Sequence, residues 1–197
     1  EGWEIKRAKI IFQRVQRPVR EEDEVVTAFR DGAVTLRSNR RTEGFTFSIQ
    51  EIGYQGIRKG DLVVHAMDGF AGAIGVSDSD GKATPVYTVL RPLNEGLVNN
   101  NYYGYLLRDL ALAGFVNALA KGIRERSTEF RYNEIKELWL PVLPYAEQTQ
   151  VVNFVEREKQ KLDSLVSTIQ QAIDYLKEYR TALISAAVTG KIDVRNL

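Results

Sequence analysis

Five adjacent residues between two predicted strands combine the side-chain types that read DNA bases. In the major groove an arginine can form two hydrogen bonds with guanine, and an asparagine or glutamine amide can form two with adenine. The sequence Arg37-Ser38-Asn39-Arg40-Arg41 supplies both types. We therefore predict that these five residues contact DNA, with Arg40 and Arg41 as the foremost candidates. The alternative is a mobile surface loop with no role.

Two further loops carry side chains suited to the same task. Gln55 and Arg58 lie just ahead of a Gly60-Asp61 turn, and we predict that they also read bases. Lys82 and Thr84 precede a predicted strand, and we predict that they contact phosphates, which position a protein without specifying a sequence. Each bidentate base contact gives about 1–3 kcal/mol of discrimination, so three or four of them define a short site.

Signatures of nucleotide and methyl-donor chemistry are missing. None of the five prolines forms the Pro-Pro pair of an amino-methyltransferase loop, and no G-x-x-x-x-G-K-[ST] loop is present. Gly69, Gly72 and Gly75 miss the G-x-G-x-x-G spacing, and a turn between strands explains them better. We therefore expect no cofactor and no catalytic role.

A nuclease is the enzyme alternative with the most support. Glu4-Ile5-Lys6 and Glu134-Ile135-Lys136 both have the E-x-K form of some metal-dependent nucleases. Neither is preceded by Pro-Asp, and such tripeptides arise often in a chain with 27% charged residues. His65, the sole histidine, lies in an apolar run, where a structural side chain is more common than a base or a metal ligand. No metal site is predicted.

Composition sets mild limits. The 197 residues are 44% hydrophobic, which allows one sizeable core, and the absence of cysteine excludes disulfides and thiolate sites. The net charge of +1 is too small to attract nucleic acid through an overall field. No run of residues is apolar enough to cross a bilayer, so we expect a cytoplasmic protein without membrane contact.

Residues 1–143 have the pattern of a mixed α/β domain. Short β-rich runs alternate with turn residues, and a helix is predicted from about Asn101 to Ala120. The predicted strands are Glu4 to Phe12, Ala33 to Leu36, Phe45 to Ile49, Leu62 to Ala66, Ala73 to Val76 and Val86 to Leu90. Between about Phe130 and Leu140 we predict a turn or short helix and a final strand. Pro141 and Pro144 then mark the domain boundary.

Residues 144–197 are predicted to form one long helix, ended by Gly190. Apolar residues repeat at heptad spacing, which predicts a coiled-coil seam that pairs with another helix. The predicted interface consists of Val155, Leu162, Leu165, Ile169, Ala172, Leu176, Tyr179 and Leu183. The alternative is an ordinary amphipathic helix packed on its own domain. The predicted fold class is thus α+β, a mixed α/β domain followed by a long coiled-coil helix.

Several segments resemble the DNA-specificity (S) subunits of type I restriction-modification enzymes. The resemblance is strongest where the helix begins and ends and looser in the domain before it. The matching segments are Gly2–Arg7, Gly60–Val64, Gly72–Gly75, Thr84–Tyr87, Leu143–Gln148 and Leu183–Arg195. In that family each target-recognition domain is followed by a long helix introduced by a Pro-x-x-Glu-Gln phrase, which here begins at Pro144.

The resemblance implies a non-catalytic subunit that binds double-stranded DNA. It would direct modification (methyltransferase) subunits, and a restriction (translocase and nuclease) subunit through the complex, to a bipartite target. The helix face with Gln148, Arg157, Lys161 and Glu178 would dock the modification subunits. Typical members carry two recognition domains, so this chain would be a homodimer or half of a longer subunit. Two rivals remain: a nuclease or methylase acting alone, and a coiled-coil interaction protein without a DNA role.

Overall fold

The structure is a computed structural model that describes residues 2–40, 52–115 and 130–192. The chain divides into two compact units, of which the first ends at Val152 and the second begins at Asn153. Arg41 and the predicted strand Phe45 to Ile49 lie outside the described residues, as do the last residues of the predicted helix that ends at Ala120.

The first unit is built around a four-stranded antiparallel sheet. Its strands are β2 (Phe12–Arg14), β9 (Tyr87–Pro92), β6 (Leu62–His65) and β7 (Ile74–Val76), in that spatial order. Alternate residues of β6 enter different cores: Leu62 and Val64 pack in one cluster and Val63 in another. Because successive side chains of a strand point to opposite faces, both faces of this sheet are covered.

One face is covered by helix α2 (Asn100–Leu112). The side chain of Asn99 caps this helix by accepting a hydrogen bond from the N–H of Asn101 (3.0 Å). Tyr103 is fully buried against Phe12 in an edge-to-face contact, and its hydroxyl donates to the carbonyl of Pro141. Burial raises the pKa of Tyr103 to about 12, so this hydroxyl stays protonated and keeps donating.

Three two-stranded ribbons complete the first unit. Ribbon β3 (Val26–Ala28) with β4 (Val34–Leu36) and ribbon β5 (Gln55–Ile57) with β8 (Gly81–Ala83) contribute to the second core. Ribbon β1 (Glu4–Arg7) with β10 (Trp139–Val142) joins the two ends of the first unit's chain. The short helix α3 (Tyr132–Ile135) precedes β10, as the sequence predicted.

The prediction of one strand from Glu4 to Phe12 was wrong. A single helical turn, α1 (Ala8–Ile11), separates β1 from β2. The N–H of Ala8 donates to the carbonyl of Leu138, and the turn buries both Ala8 and Ile11. The chain thereby leaves the β1–β10 ribbon and enters the central sheet. Tertiary packing overrides the β-branched pattern of this stretch.

Helix α4 (Tyr145–Val188) confirms the predicted long C-terminal helix. Gly190 has φ of +74°, in the left-handed region where glycine is favoured. The N–H of Lys191 donates to the carbonyl of Ala186 (2.9 Å), which satisfies one of the last helical carbonyls. Among the described residues, no helix combines the length and the apolarity needed to cross a bilayer.

The first two turns of α4 are tied to the rest of the first unit by Gln148, whose side chain is fully buried. Its Oε1 accepts from the N–H of Asn99 (2.8 Å), and its Nε2 donates to the carbonyls of Leu97 (3.0 Å) and Leu143 (2.8 Å). One amide thus joins the start of α2, the loop before it and the end of β10 to the start of α4.

We expect Gln148→Leu to destabilise the chain by at least about 3 kcal/mol, because it keeps the side-chain volume but leaves three buried backbone groups unpaired at about 1–3 kcal/mol each. Urea unfolding followed by circular dichroism measures this loss. Gln150→Leu, at an exposed position of the same helix, is the matched control and should change stability little. Equal losses in the two variants would contradict the role given to Gln148.

Candidate nucleic-acid interface

Three arginines, Arg30, Arg40 and Arg108, lie at the turn that connects β3 to β4, and Arg37 follows the end of β4 on the way to Arg40. We call these four residues the arginine surface. The turn is fixed by hydrogen bonds from Phe29 N–H to the carbonyl of Ala33 (2.8 Å) and from Gly32 N–H to the carbonyl of Phe29 (2.9 Å). Gly32 has φ of +91°, a backbone conformation in which a residue with a β-carbon would be strained.

Arg40 is held on two sides. Its guanidinium forms an ion pair with Asp31 and stacks over the ring of Phe29, with Cζ 4.8 Å from the ring centroid. Burial raises the pKa of Asp31, but the hydrogen bonds from Arg40 and from the N–H of Ala33 outweigh it, and the pKa is lowered overall. Asp31 is therefore charged at neutral pH, and the guanidinium plane of Arg40 is oriented before any ligand arrives.

The other arginines are anchored in a similar way. Arg30 donates to Asp68 (2.8 Å), which follows the end of β6. Arg108, from α2, donates through Nη2 to the carbonyl of Arg30 (3.2 Å). The Nε atom of Arg108 is buried and has no partner among the described residues. Asp31 thus holds Arg40, Asp68 holds Arg30, and the carbonyl of Arg30 holds Arg108.

The first predicted loop forms part of this surface. Arg37, Ser38 and Asn39 make a single 3-10 turn after β4, directly before Arg40. Asn39 donates to the hydroxyl of Thr35 (2.8 Å), and Ser38 donates to Glu24 (3.1 Å). The side chains of Ser38, Asn39 and Arg40 are exposed, whereas Arg37 is half-buried.

Lys82 is brought close to this loop through the segment before β3. The N–H of Arg37 donates to the carbonyl of Val25, and the N–H of Lys82 donates to the carbonyl of Glu24, both at 2.8 Å. Lys82 lies in strand β8 rather than in the predicted turn, because that segment pairs with β5. Thr84 follows it, and its carbonyl accepts from the N–H of Tyr87.

Gln55 and Arg58 are largely buried and form hydrogen bonds within the first unit. Gln55 lies in strand β5, not in a loop, with only 3% of its surface exposed, and its Nε2 donates to the carbonyl of Tyr87 (2.7 Å). Arg58 is also largely covered; it pairs with Asp23 (2.9 Å) and donates to the carbonyls of Ile57 and Gly81. Base reading by either residue stays a prediction that this geometry does not favour.

A second group of cations lines a cleft of roughly 700 Å³ at the other end of β6. It contains Arg17, Arg20, Arg58, Lys59 and Arg91. Each of the four arginines has a carboxylate partner: Arg17 with Asp61, Arg20 with Asp80, Arg58 with Asp23 and Arg91 with Glu95. This pairing leaves the cleft much less positive than its cations suggest.

His65 has a structural position at the end of β6. Its Nδ1 accepts a hydrogen bond from the N–H of Asp68 (2.9 Å), and its ring meets that of Tyr87 edge to face. Burial lowers the pKa of His65, against the opposing charge of Asp68. In the described parts of the chain, no three His, Asp or Glu side chains are grouped closely enough to hold a metal ion.

On α4, the predicted seam is almost wholly unpacked within the chain. Val155 is half-buried, and the other seven predicted interface residues are exposed: Leu162, Leu165, Ile169, Ala172, Leu176, Tyr179 and Leu183. On the predicted docking face, Arg157 and Lys161 are exposed and paired with Glu158. Gln148, which was predicted on the same face, is buried and therefore does not belong to it.

Solved structures with the same fold come from type I restriction-modification systems. One is the HsdS subunit from Thermoanaerobacter tengcongensis, with 17% identity and a TM-score of 0.56 over 97% of this chain and 46% of that one. Another is the type I restriction-modification S subunit from M. genitalium, with 18% identity and a TM-score of 0.56 over 93% of this chain and 46% of that one. The chain has an S-subunit fold.

A third structure with this S-subunit fold comes from a study of complex assembly and conformational transition of the type I R-M system. It is 16% identical, with a TM-score of 0.63 over 94% of this chain and 45% of that one. The chain thus spans less than half the length of the solved chains it matches. No protein-family model and no curated protein matches it.

The sequence analysis missed two members of the arginine surface. Arg30 and its neighbours Asp31 and Gly32 are a local turn signal that identifies a loop but not its ligand. Arg108 comes from α2, far away in the sequence, and no local pattern predicts its position beside Arg30. Arg37 and Arg40 were predicted correctly to share one loop region, while Arg41 lies outside the described residues.

We expect His65 to make the chain more stable above pH about 6.5, the ordinary pKa of histidine. Its folded pKa is lowered, so the unfolded chain binds the proton more readily and stability falls as the pH drops below that value. His65→Asn keeps an acceptor for the Asp68 N–H but does not titrate. The wild type should therefore lose more unfolding free energy than this variant between pH 7 and pH 5.

As the only histidine, His65 also gives a single NMR titration curve. A midpoint above 6.5, or the same pH dependence of stability in the wild type and in His65→Asn, would contradict the prediction.

Proposed function

We propose that this chain is the DNA-recognition half of a type I restriction-modification specificity subunit, and that it performs no catalysis itself. The single observation that carries the proposal is the S-subunit fold over almost the whole chain, with a long helix whose seam is exposed. Residues 1–143 would read DNA, and residues 144–197 would set the distance between two such readers.

The arginine surface is the part of the first unit best suited to duplex DNA. Arg40 has the geometry of a base reader because Phe29 and Asp31 fix its guanidinium plane, and a bidentate contact to guanine needs that plane oriented. Arg30, Arg37, Lys82 and Thr84 would contact phosphates and hold the protein in register. The cleft is the less suitable surface because Arg17 and Arg58 are largely covered there, whereas Arg30 and Arg40 are exposed.

A second copy of the chain is the partner we propose for the seam of α4. The matched chains are more than twice as long, so one copy provides only half of what they contain. Two copies paired through their helices would present two identical readers. A two-part target with symmetric halves follows from that arrangement.

Modification subunits are the second proposed partner of α4. Val166 and Ile173 are exposed beside the seam, so the apolar face is wider than a strict two-helix seam needs. Methylation would then occur on those subunits, and cleavage on a restriction subunit that joins the complex. We propose a cytoplasmic location for the assembly, where the DNA is.

The deciding experiment is methylation-site mapping in cells that express this chain with its modification subunit. We expect a two-part motif whose halves are related by symmetry. Leu176→Asp, in the middle of the seam, should abolish the methylation because it places a charge where apolar burial holds two helices together. Ser167→Asp, at an exposed position off the seam, is the matched control and should leave the motif unchanged.

An asymmetric motif would contradict pairing of identical copies, while leaving a recognition role intact. Methylation or cleavage by the purified chain alone, with S-adenosylmethionine or Mg²⁺, would contradict the non-catalytic role. A chain without salt-sensitive DNA binding would instead be a coiled-coil interaction protein.

Binding to a duplex that carries the mapped motif tests the arginine surface. Arg40→Ala should weaken binding about 5- to 150-fold, because one bidentate base contact gives about 1–3 kcal/mol. Arg30→Ala should weaken binding to specific and random duplexes alike. It should also reduce the slope of log K against log salt concentration by about one. Arg91→Ala, which removes the same charge from the cleft, should have little effect. A larger loss for Arg91→Ala than for Arg40→Ala would place DNA in the cleft.

A further inference from the structure

Arg108 reaches from α2 to the turn that connects β3 to β4. Its Nη2 donates to the carbonyl of Arg30 (3.2 Å), and its side chain is half-buried. A β-carbon on Gly32 would lie 2.8 Å from Cδ of Arg108, and a β-carbon on Gly72 would lie 3.3 Å from its Nε. The side chain of Arg108 therefore occupies space that two glycines leave open.

The same turn also lies directly on strand β7. A β-carbon on Gly75 would collide with the carbonyl oxygen of Gly32, and one on Gly72 would lie 2.8 Å from the carbonyl oxygen of Arg30. Gly72 and Gly75 are the ends of one of the segments that carry the family resemblance. The turn is thus packed against these two glycines and is contacted by Arg108 as well.

Packing alone does not explain an arginine at position 108. Its Nε atom is buried and has no partner in the part of the chain that the structure describes. A buried donor without a partner is unfavourable, and a methionine would fill the same space without that cost. What an arginine adds here is its positive charge and the hydrogen bond to the carbonyl of Arg30.

Both of these act on Asp31, the residue that follows Arg30. Burial raises the pKa of Asp31, but the hydrogen bonds from Arg40 and from the N–H of Ala33, together with the charges of Arg40 and Arg108, lower it overall. Asp31 in turn forms the ion pair with Arg40. A series of contacts therefore leads from α2 through Arg108 and Asp31 to Arg40.

From these contacts we propose that Arg108 is a positioning residue for base reading. It holds the turn against β7, the turn places Asp31, and Asp31 orients the guanidinium of Arg40. The side chain of Arg30 is held separately by Asp68 (2.8 Å), so the loss of Arg108 acts chiefly on Arg40. The inference rests on the proposed reading of a base by Arg40 and adds the residue that gives this reading its geometry.

A double-mutant cycle with Arg40 tests the inference on the full-length chain. Binding is measured to a duplex with the mapped motif and to one changed at the base pair where Arg40→Ala loses discrimination. Arg108→Met keeps an unbranched side chain beside the glycines but removes the charge and the donors. It should reduce discrimination between the two duplexes about 3- to 30-fold, within the range shown by coupled neighbours. In the Arg40→Ala background the same substitution should change discrimination little.

Salt dependence separates positioning from a direct phosphate contact. The slope of log K against log salt concentration on random duplexes should be the same for Arg108→Met and the wild type, because a positioning residue displaces no counterion. Arg91→Met makes the same substitution at an exposed arginine of the cleft and is the matched control. It should leave discrimination unchanged.

Circular dichroism and urea unfolding establish that the variants are folded. Should Arg108→Met not fold, Arg108→Lys takes its place in the cycle, because it keeps the positive charge but not the planar set of donors. Its loss of discrimination should also disappear in the Arg40→Ala background.

Three results would overturn the inference and leave base reading by Arg40 standing. They are no loss of discrimination in Arg108→Met, an equal loss with and without Arg40, and a salt slope reduced by about one, which would make Arg108 a phosphate contact. If Arg40→Ala loses discrimination at no base pair, the proposed base reading fails, and the inference fails with it.

Discussion

The buried amide of Gln148 is the constraint on which the arrangement of the first unit depends. It satisfies the N–H of Asn99, the residue that caps α2, and also the carbonyl at the end of β10. Only an amide offers one acceptor and two donors in a side chain of that size; a glutamate lacks the donors and a leucine lacks both functions. The start of α4 is therefore positioned by the same groups that begin α2 and end the sheet ribbon.

That constraint gives a physical meaning to the Pro-x-x-Glu-Gln phrase. Pro144 cannot continue a strand ladder and stands directly before the helix, where a missing N–H costs nothing. Glu147 accepts the indole N–H of Trp3, and Gln148 enters the core. This phrase carries the resemblance, but Gln148 does not have the expected role. It holds the helix in place and is not available to a partner.

Much of the architecture was predictable because it follows local periodicity. The long helix, its start after Pro144 and its end at Gly190 were predicted correctly, as were strands β4, β6, β7 and β9 to within a residue or two. Strands β3 (Val-Thr-Ala), β5 (Gln-Gly-Ile) and β8 (Gly-Lys-Ala) were missed because each has only one large apolar residue or none, so its pairing partner defines it rather than a local apolar pattern. Gln55 was therefore taken for a loop residue, although β5 buries it beside β8.

The candidate site was predictable only where it is local. Arg37 to Arg40 form one turn, whereas Arg108 reaches the same surface through the packing of α2 on the sheet. The sequence also carries no sign of which arginines are paired with carboxylates. Exposure separates the two groups of cations: Arg17 and Arg58 of the cleft are largely covered, while Arg30 and Arg40 are exposed and are held by Asp68 and Asp31.

Asp31 and Asp68 order the arginine surface in the free protein, and they weaken its attraction for anions only modestly. An exposed arginine loses side-chain entropy when it binds, and one that is already stacked and paired has lost part of it beforehand. A phosphate or a guanine that replaces Asp31 meets a guanidinium whose plane is set by Phe29. If Arg40 reads a base as proposed, the ion pair must open, and a wrong base that offers no replacement acceptors would leave Arg40 with Asp31. Discrimination would then arise from competition between a carboxylate of the protein and the acceptors of the correct base pair.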